Sequence, residues 1–401
     1  YGLPIAVKDL DDVAGVRTTY GSPIFADHVP AVPDISVQTL ERNGALVLAK
    51  SNAPEFGAGG NTFNEVFGAT LNPWQTNLTC GGSSGGSATA LASGQVWLAT
   101  GSDLGGSLRI PASFCSVVGF RPSPGRVAFG PDPTPWQSLA VVGPMGRTVG
   151  DAAMMLDAQA GQVLGDPRSL DRPARRFVEA VDQPARPGRV AFSPDLNLAP
   201  VQSEVKAICA QAAQDFGQFG TKIEEAAPDL GDAEAIFQTL RAEFFLRLAP
   251  QLSANRDLLK PEVIWNIERG LELSGSQVIE AEQARAALYQ RTVKFFETYD
   301  LLLCPTVVAP PFEVNIRYLT EVEGVAFDSY IGWLILTFAL SLTACPAISV
   351  PCGFTESGLP VGLQIVGPPR GEAQVLSAAA LFEEASGLTG LTPIDPRPAG
   401  D

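Results

Sequence analysis

The sequence predicts an α/β fold, one large domain built on a mixed and mostly buried β-sheet. Three observations predict it. Short apolar runs recur along the chain and alternate with stretches of helical period. Of the 401 residues, 45% are apolar and 17% charged, a globular composition with material for a large core. No linker of Pro, Gly and Ser separates two independent cores.

The elements follow in order. The chain opens on YGLPIAVKDL, with an apolar strand around Ile5. SVQTLERNG after Asp34 has helical spacing, and ALVLAK near Leu46 reads as the next strand. Ala and Leu at helical spacing extend a helix over Ser87–Ala99. Residues 167–187, rich in Pro, Arg and Asp, read as a surface excursion. GRVAFSP near Val190 is a strand, and SEVKAICAQAAQDFGQF after Gln202 is a helix. Residues 232–298 are mostly helical and are expected to pack as a cap. Strands return in LLLCPTVV, AISVPCGF and GLQIVGPP, and GEAQVLSAAALFEEASG closes the chain with a helix. The expected organisation is one domain over 1–395. Its core is 1–150 and 299–395, a helical cap region covers about 200–298, and a short tail covers 396–401.

Charge and composition exclude several functions. The formal net charge is -16, so the chain repels phosphate backbones and nucleic acid is not an expected direct partner. PARR, Pro173 to Arg176, is too brief to reverse this and reads as a solvated face. The six cysteines are Cys80, Cys115, Cys209, Cys304, Cys345 and Cys352, with no C-x-x-C pair. They read as small buried thiols of a reducing compartment, which makes the expected location cytoplasmic. With His28 as the only histidine, no metal set has the required spacing. No metal and no cofactor are expected. Tyr330–Thr355 carries no charge, but Pro346 and Pro351 interrupt it and Ser341 and Thr343 dilute it. It reads as a buried helix running into a core strand, and no membrane partner is expected.

Two glycine–serine clusters stand apart from this background: CGGSSGG, Cys80 to Gly86, and GSDLGGSLR, Gly101 to Arg109. Their apolar flanks exclude a flexible linker. Glycines there let backbone N–H groups approach a guest, and such a turn can hold an oxyanion. Structural turns are the other reading. GSSGG matches a nucleophile elbow centred on Ser84, but that elbow needs a histidine later in the chain, and His28 precedes it. SEVK, Ser203 to Lys206, lies in an amphipathic helix and reads as a solvated face. With histidine excluded, a lysine held neutral by burial could activate a serine. Lys8, at the end of an apolar strand, is the candidate; a strand-end lysine snorkelling outward is the alternative.

Together these stretches resemble the amidase signature family. GLPIAVKD matches its lysine motif, GGSSGGSA its first serine block, and GSDLGGSLRIPASFCSVVGFRPS its second. GPMGRTVGD and GLPVGLQIVGPP match further blocks. The spacings fit, with 75 residues from Lys8 to Ser83 and 24 from Ser83 to Ser107. The resemblance covers nearly the whole chain. It implies a sheet covered by helices on both faces and a Ser–Ser–Lys triad. Ser107 would be the nucleophile, Ser83 the proton bridge and Lys8 the base. The Gly82–Ser83 bond would be cis. Backbone N–H groups of Leu104, Gly105, Gly106 and Ser107 would form the oxyanion hole. Ser84, Ser102, Asp103 and Arg109 would support these groups.

The implied activity is hydrolysis of a carboxylic amide to an acid plus ammonia or an amine. The implied partner is a small-molecule amide, and a homodimer is the expected assembly. Ser102 stands where threonine is common, and Cys80 where proline is common. The family normally carries a helical segment before the lysine strand; its expected absence here would leave core surface exposed. Two other functions remain for comparison. The glutaminase subunit of a tRNA-dependent amidotransferase typically reads SIRQPA after its nucleophile, whereas this chain reads SLRIPA and has an apolar stretch over Trp136–Val142. A non-catalytic scaffold would not need all three triad candidates. Phe56, Gly57, Trp136, Phe244, Phe245, Tyr330 and Trp333 are candidates for the acyl pocket; core packing is the other reading of the large ones.

Overall fold

The computed structural model describes residues 2–388 and 390–398. Residues 399–401 of the expected tail lie outside the described residues. Ten strands form one sheet: β1 Leu3–Lys8, β2 Ala45–Ser51, β3 Leu98–Asp103, β4 Val118–Arg121, β5 Val141–Gly146, β6 Arg189–Phe192, β7 Lys222–Glu225, β8 Leu301–Pro305, β9 Ala347–Phe354 and β10 Pro360–Val366. Their spatial order is β7-β6-β8-β10-β9-β4-β5-β3-β1-β2. Both outer thirds are parallel: β1 pairs with β2 and β3, and β6 pairs with β7 and β8. The middle is antiparallel. The helices flank it: α1 Ile35–Arg42, α2 Gly85–Ala92, α3 Arg109–Cys115, α4 Val149–Gln159, α5 Ser203–Asp215, α6 Ala233–Phe245, α7 Pro261–Leu271, α8 Gly275–Phe296, α9 Ile335–Leu342 and α10 Glu372–Ser386.

Two central strands, β8 and β10, are buried along their whole length, as continuous apolar runs require when both faces are covered. Every residue of LLLCP in β8 and PVGLQIV in β10 is buried. The edge strand β2 alternates instead, with Leu46 and Leu48 exposed. The uncharged segment runs as expected: α9 is buried at every residue and leads into β9. No helix among the described residues is long and apolar enough to cross a membrane.

Three expectations need correction. The helix expected over Ser87–Ala99 stops at Ala92, because Gly94 takes a left-handed φ of +73° and turns the chain into β3. The sequence reading missed β3, β4 and β5, whose Gly, Pro, Ser and Asp disguise fully packed strands. The expected surface excursion carries a short helix, Phe177–Asp182, whose Phe177 and Ala180 are buried.

The expected cap region, about 200–298, is mostly helical, but it also contains β7, an edge strand of the sheet that the sequence did not announce. Its α6 packs on α7, α8 and α9. The parallel pair β1–β3 matters most for function. Pairing Ile5 with Leu98 and Ala6 with Ala99 brings the C-terminal ends of both strands together. Lys8 ends one and Asp103 the other.

Candidate active site

Lys8 is fully buried at the end of β1. Its backbone N–H donates to Thr100 Oγ1 at 2.9 Å, which fixes the strand end on β3. Its Nζ lies 2.7 Å from Ser83 Oγ, 2.9 Å from Ser84 Oγ and 3.0 Å from Ser102 Oγ. Desolvation lowers its pKa to about 7, against the opposing fields of Asp11 and Asp103. This lysine does not snorkel. A buried amine at that pKa exchanges a proton near neutrality, and hydroxyls surround it.

The two serine clusters face each other. Ser83 and Ser84 end the loop before α2, and the Gly82–Ser83 peptide bond is cis. The loop must pass close to other backbone: a Cβ on Gly82 would lie 2.9 Å from Asn61 C, and one on Gly86 would lie 2.3 Å from Asn52 N. The Ser84 N–H donates to the carbonyl oxygen of Ser107 at 3.2 Å, tying the first cluster to the second.

The second cluster spans the turn from β3 to α3. Asp103, fully buried, organises it. Its carboxylate accepts from Gly106 N at 2.8 Å and Leu108 N at 3.1 Å. It also pairs with Arg109 at 2.9 Å and Arg121 at 3.1 Å. Burial alone would raise this carboxyl's pKa, but the two guanidinium groups and the hydrogen bonds hold it well below the usual carboxylate range. Arg109 reaches further, donating to Thr337 O, Gln364 Oε1 and Ser341 Oγ. It thereby clamps the turn to α9 and β10.

This geometry corrects the expected oxyanion set. The Gly106 N–H is committed to Asp103 Oδ1 and cannot also face a substrate. The N–H groups of Gly105 and Ser107 have no acceptor among the described residues and stay available, and Leu104 lines the cavity beside them. Gly106 sits at φ +127°, and a Cβ there would lie 2.2 Å from Thr337 Oγ1. Arg121, Thr100 and Gln364 went unassigned in the sequence. Arg121 and Gln364 lie within the matched blocks, but only the fold shows what they hold.

A cavity of about 400 Å³ opens over Ser83, Ser102 and Ser107. Phe56, Gly57, Phe244 and Phe245 line it, as expected of a pocket wall. Three other candidates do not. Trp136 is 75% exposed and turned to solvent. Trp333 is buried behind the site against Phe114, Phe312 and the Gly60 backbone. Tyr330 is buried behind Arg241 and hydrogen-bonds to it and to Asn266. The sequence reading missed Phe237, Arg241 and the acidic side formed by Asp11, Asp12 and Asp34. Burial pushes the carboxyl of Asp34 up to about 8. No group of His, Cys, Asp and Glu among the described residues is arranged to hold a metal. Cys80 is a fully buried free thiol that burial pushes up to about 12.

Comparison with known proteins places this arrangement. The chain matches the Amidase family profile over residues 1–376. It is 35% identical over 398 residues to an acylamidase of Rhodococcus erythropolis, covering 96% of this chain and 81% of that protein. It is 37% identical over 409 residues to a glutamyl-tRNA(Gln) amidotransferase subunit of Thermus thermophilus, covering 96% and 85%. A bacterial aryl acylamidase of the amidase signature family superposes with a TM-score of 0.90 at 28% identity, covering 97% of this chain and 83% of that one. A buried lysine among serine hydroxyls, on a fold shared over almost its whole length with these proteins, makes the chain a member of the amidase signature family.

Proposed function

We propose that this protein hydrolyses a carboxylic amide through an acyl-enzyme on Ser107, with Lys8 as base and Ser83 as the proton bridge. The observation that carries this reading is the buried Lys8 Nζ 2.7 Å from Ser83 Oγ, at a pKa of about 7. Neutral Lys8 accepts the Ser83 proton while Ser83 accepts the Ser107 proton. The Ser107 oxygen attacks the amide carbonyl, and the oxyanion meets the free N–H groups of Gly105 and Ser107. Preorganised donors of this kind each contribute roughly 2.7–4 kcal/mol in the transition state. The proton returns through Ser83 to the leaving nitrogen, which departs as ammonia or an amine. Water then attacks the Ser107 ester by the same relay run again, releasing the acid and restoring the serine. Ser84 and Ser102 hold the amine, and Asp103 with Arg109 holds the turn.

The test is treatment with a fluorophosphonate serine probe followed by intact mass and peptide mapping. The expected adduct is on Ser107. Ser107→Ala should abolish labelling and lower turnover by a factor on the order of 10⁴ or more. Full amide turnover by Ser107→Ala would overturn the nucleophile assignment.

A further inference from the structure

Arg241 is the one buried arginine without a carboxylate among the described residues. Arg109 and Arg121 share Asp103, Arg126 faces Glu372 at 3.5 Å, and Arg285 faces Glu282 at 4.0 Å. Arg241 is 4% exposed, yet it lines the active-site cavity. Its guanidinium donates only to neutral acceptors, Asn266 Oδ1 and Tyr330 Oη. The rings of Phe245 and Tyr330 lie 5.2 Å and 4.8 Å from it. Cation–π contact offsets part of the desolvation of a buried charge, but not the whole of it. Burial with no opposing acidic field pushes its pKa down to about 9.

The acidic side of the cavity differs, because opposite charge faces it: Lys50 and Lys8 act on Asp11, and Lys50 acts on Asp34. Thr100 Oγ1 donates to Asp11, Tyr20 Oη to Asp12, and the Asp12 N–H to Asp34. Arg241 is therefore the buried charge of this cavity with no opposite charge beside it. Its position is also informative. Phe237 stands one helical turn before Arg241 on α6, and a Cβ on Gly105 would lie 2.7 Å from the Phe237 ring. Residues four apart share a helix face about 6 Å apart along the axis. Arg241 thus sits about one turn from the wall of the Gly105 turn, across an apolar space edged by Phe244 and Phe245.

We propose that the cavity selects amides carrying a carboxylate at the end remote from the scissile bond, separated by an aromatic ring or a short alkyl spacer, with Arg241 as the recognition residue. This rests on the amidase reading above. A planar guanidinium meets a carboxylate through two parallel hydrogen bonds, which a neutral isostere cannot supply.

The experiment compares matched pairs on the full chain. 4-Carbamoylbenzoate is set against 4-acetylbenzamide, and 4-acetamidobenzoate against 4-acetamidoacetophenone, so that the charge lies at the acyl end or the amine end. In the pair that reacts, kcat/KM for the anion should exceed that for the ketone by about tenfold or more, the scale of a charge-assisted pair. Arg241→Met should remove the preference and Arg241→Lys should restore part of it, with far-UV circular dichroism as the fold control. Where neither pair is turned over, wild-type protein is labelled with the fluorophosphonate in the presence of each compound. Stronger protection of Ser107 by the anion supports the proposal without any variant. Equal turnover or equal protection by the ketones, with Ser107 still labelled, overturns carboxylate selection and leaves the amidase reading intact. Absence of labelling on Ser107 removes the amidase reading itself, and the proposal with it.

Discussion

Burial holds Lys8 at a pKa of about 7 among three serine hydroxyls, and on the proposed mechanism this sets the pH response of the reaction. Only the neutral amine can accept a proton, so kcat/KM should fall about tenfold per pH unit below that value. Ser102 Oγ accepts from the Lys8 ammonium and favours the charged form. Ser102→Ala should therefore move the acidic limb to lower pH, and a pH–kcat/KM profile measures it. A limb that stays in place would assign the titration to a different group. Asp103 bears on stability as well as on the turn. Asp103→Asn leaves Arg109 and Arg121 buried without their carboxylate, a loss on the order of 3–5 kcal/mol. Urea unfolding would register it as a lower midpoint, and a change under about 1 kcal/mol would show that other contacts hold the turn.

At the scale of the element, the site depends on how closely α2 approaches β2. Gly86, in the first turn of α2, faces the Asn52 backbone just after β2, and a Cβ there would lie 2.3 Å from Asn52 N and 2.6 Å from Asn52 O. Backbone cannot yield as a side-chain tip can. Gly86→Ala should displace α2, cost about 1–3 kcal/mol as an overpacked core does, and lower activity through Ser83. Chemical denaturation and turnover together check this, and an unchanged unfolding midpoint would refute the tight contact.

The same element shows what the sequence could disclose. The convergence of Lys8 with the Ser83 and Ser107 loops was legible because their spacing and flanking glycines form long motifs, and β8, β9 and β10 because apolar β-branched runs announce buried strands. β3 was not legible: LATGSD carries Gly, Ser and Asp, and its strand state comes from pairing with β1 and β5. The commitment of the Gly106 N–H to Asp103 was equally hidden, since it depends on a turn and not on residue type. Pocket aromatics were only partly legible. Trp136, Tyr330 and Trp333 look like pocket residues by composition, and only the fold separates them from Phe244 and Phe245.

The whole molecule carries the cost of this chemistry. In the fold Lys8 has a pKa of about 7, against 10.5 when exposed. Between these values the unfolded chain binds a proton that the folded chain does not, so stability rises with pH across that window. The penalty is fully present below pH 7 and relieved toward pH 10.5. Lys8→Met should thus stabilise the protein by several kcal/mol, on the order of 3–5, at about pH 6 and by less at about pH 9. Thermal unfolding at the two pH values tests this; equal gains would show that packing, not charge, is responsible. The large sheet can absorb such a penalty because β8 and β10 at its centre are buried throughout. The cap has a separate consequence. Lys8, Ser83, Ser107 and Asp103 all precede residue 150, whereas α6 with Phe237, Arg241, Phe244 and Phe245 enters between β7 and β8. On the proposed mechanism, the first 150 residues carry the reacting groups together with Phe56 and Gly57 of the pocket wall, and α6 carries the part of that wall a descendant can rewrite by itself.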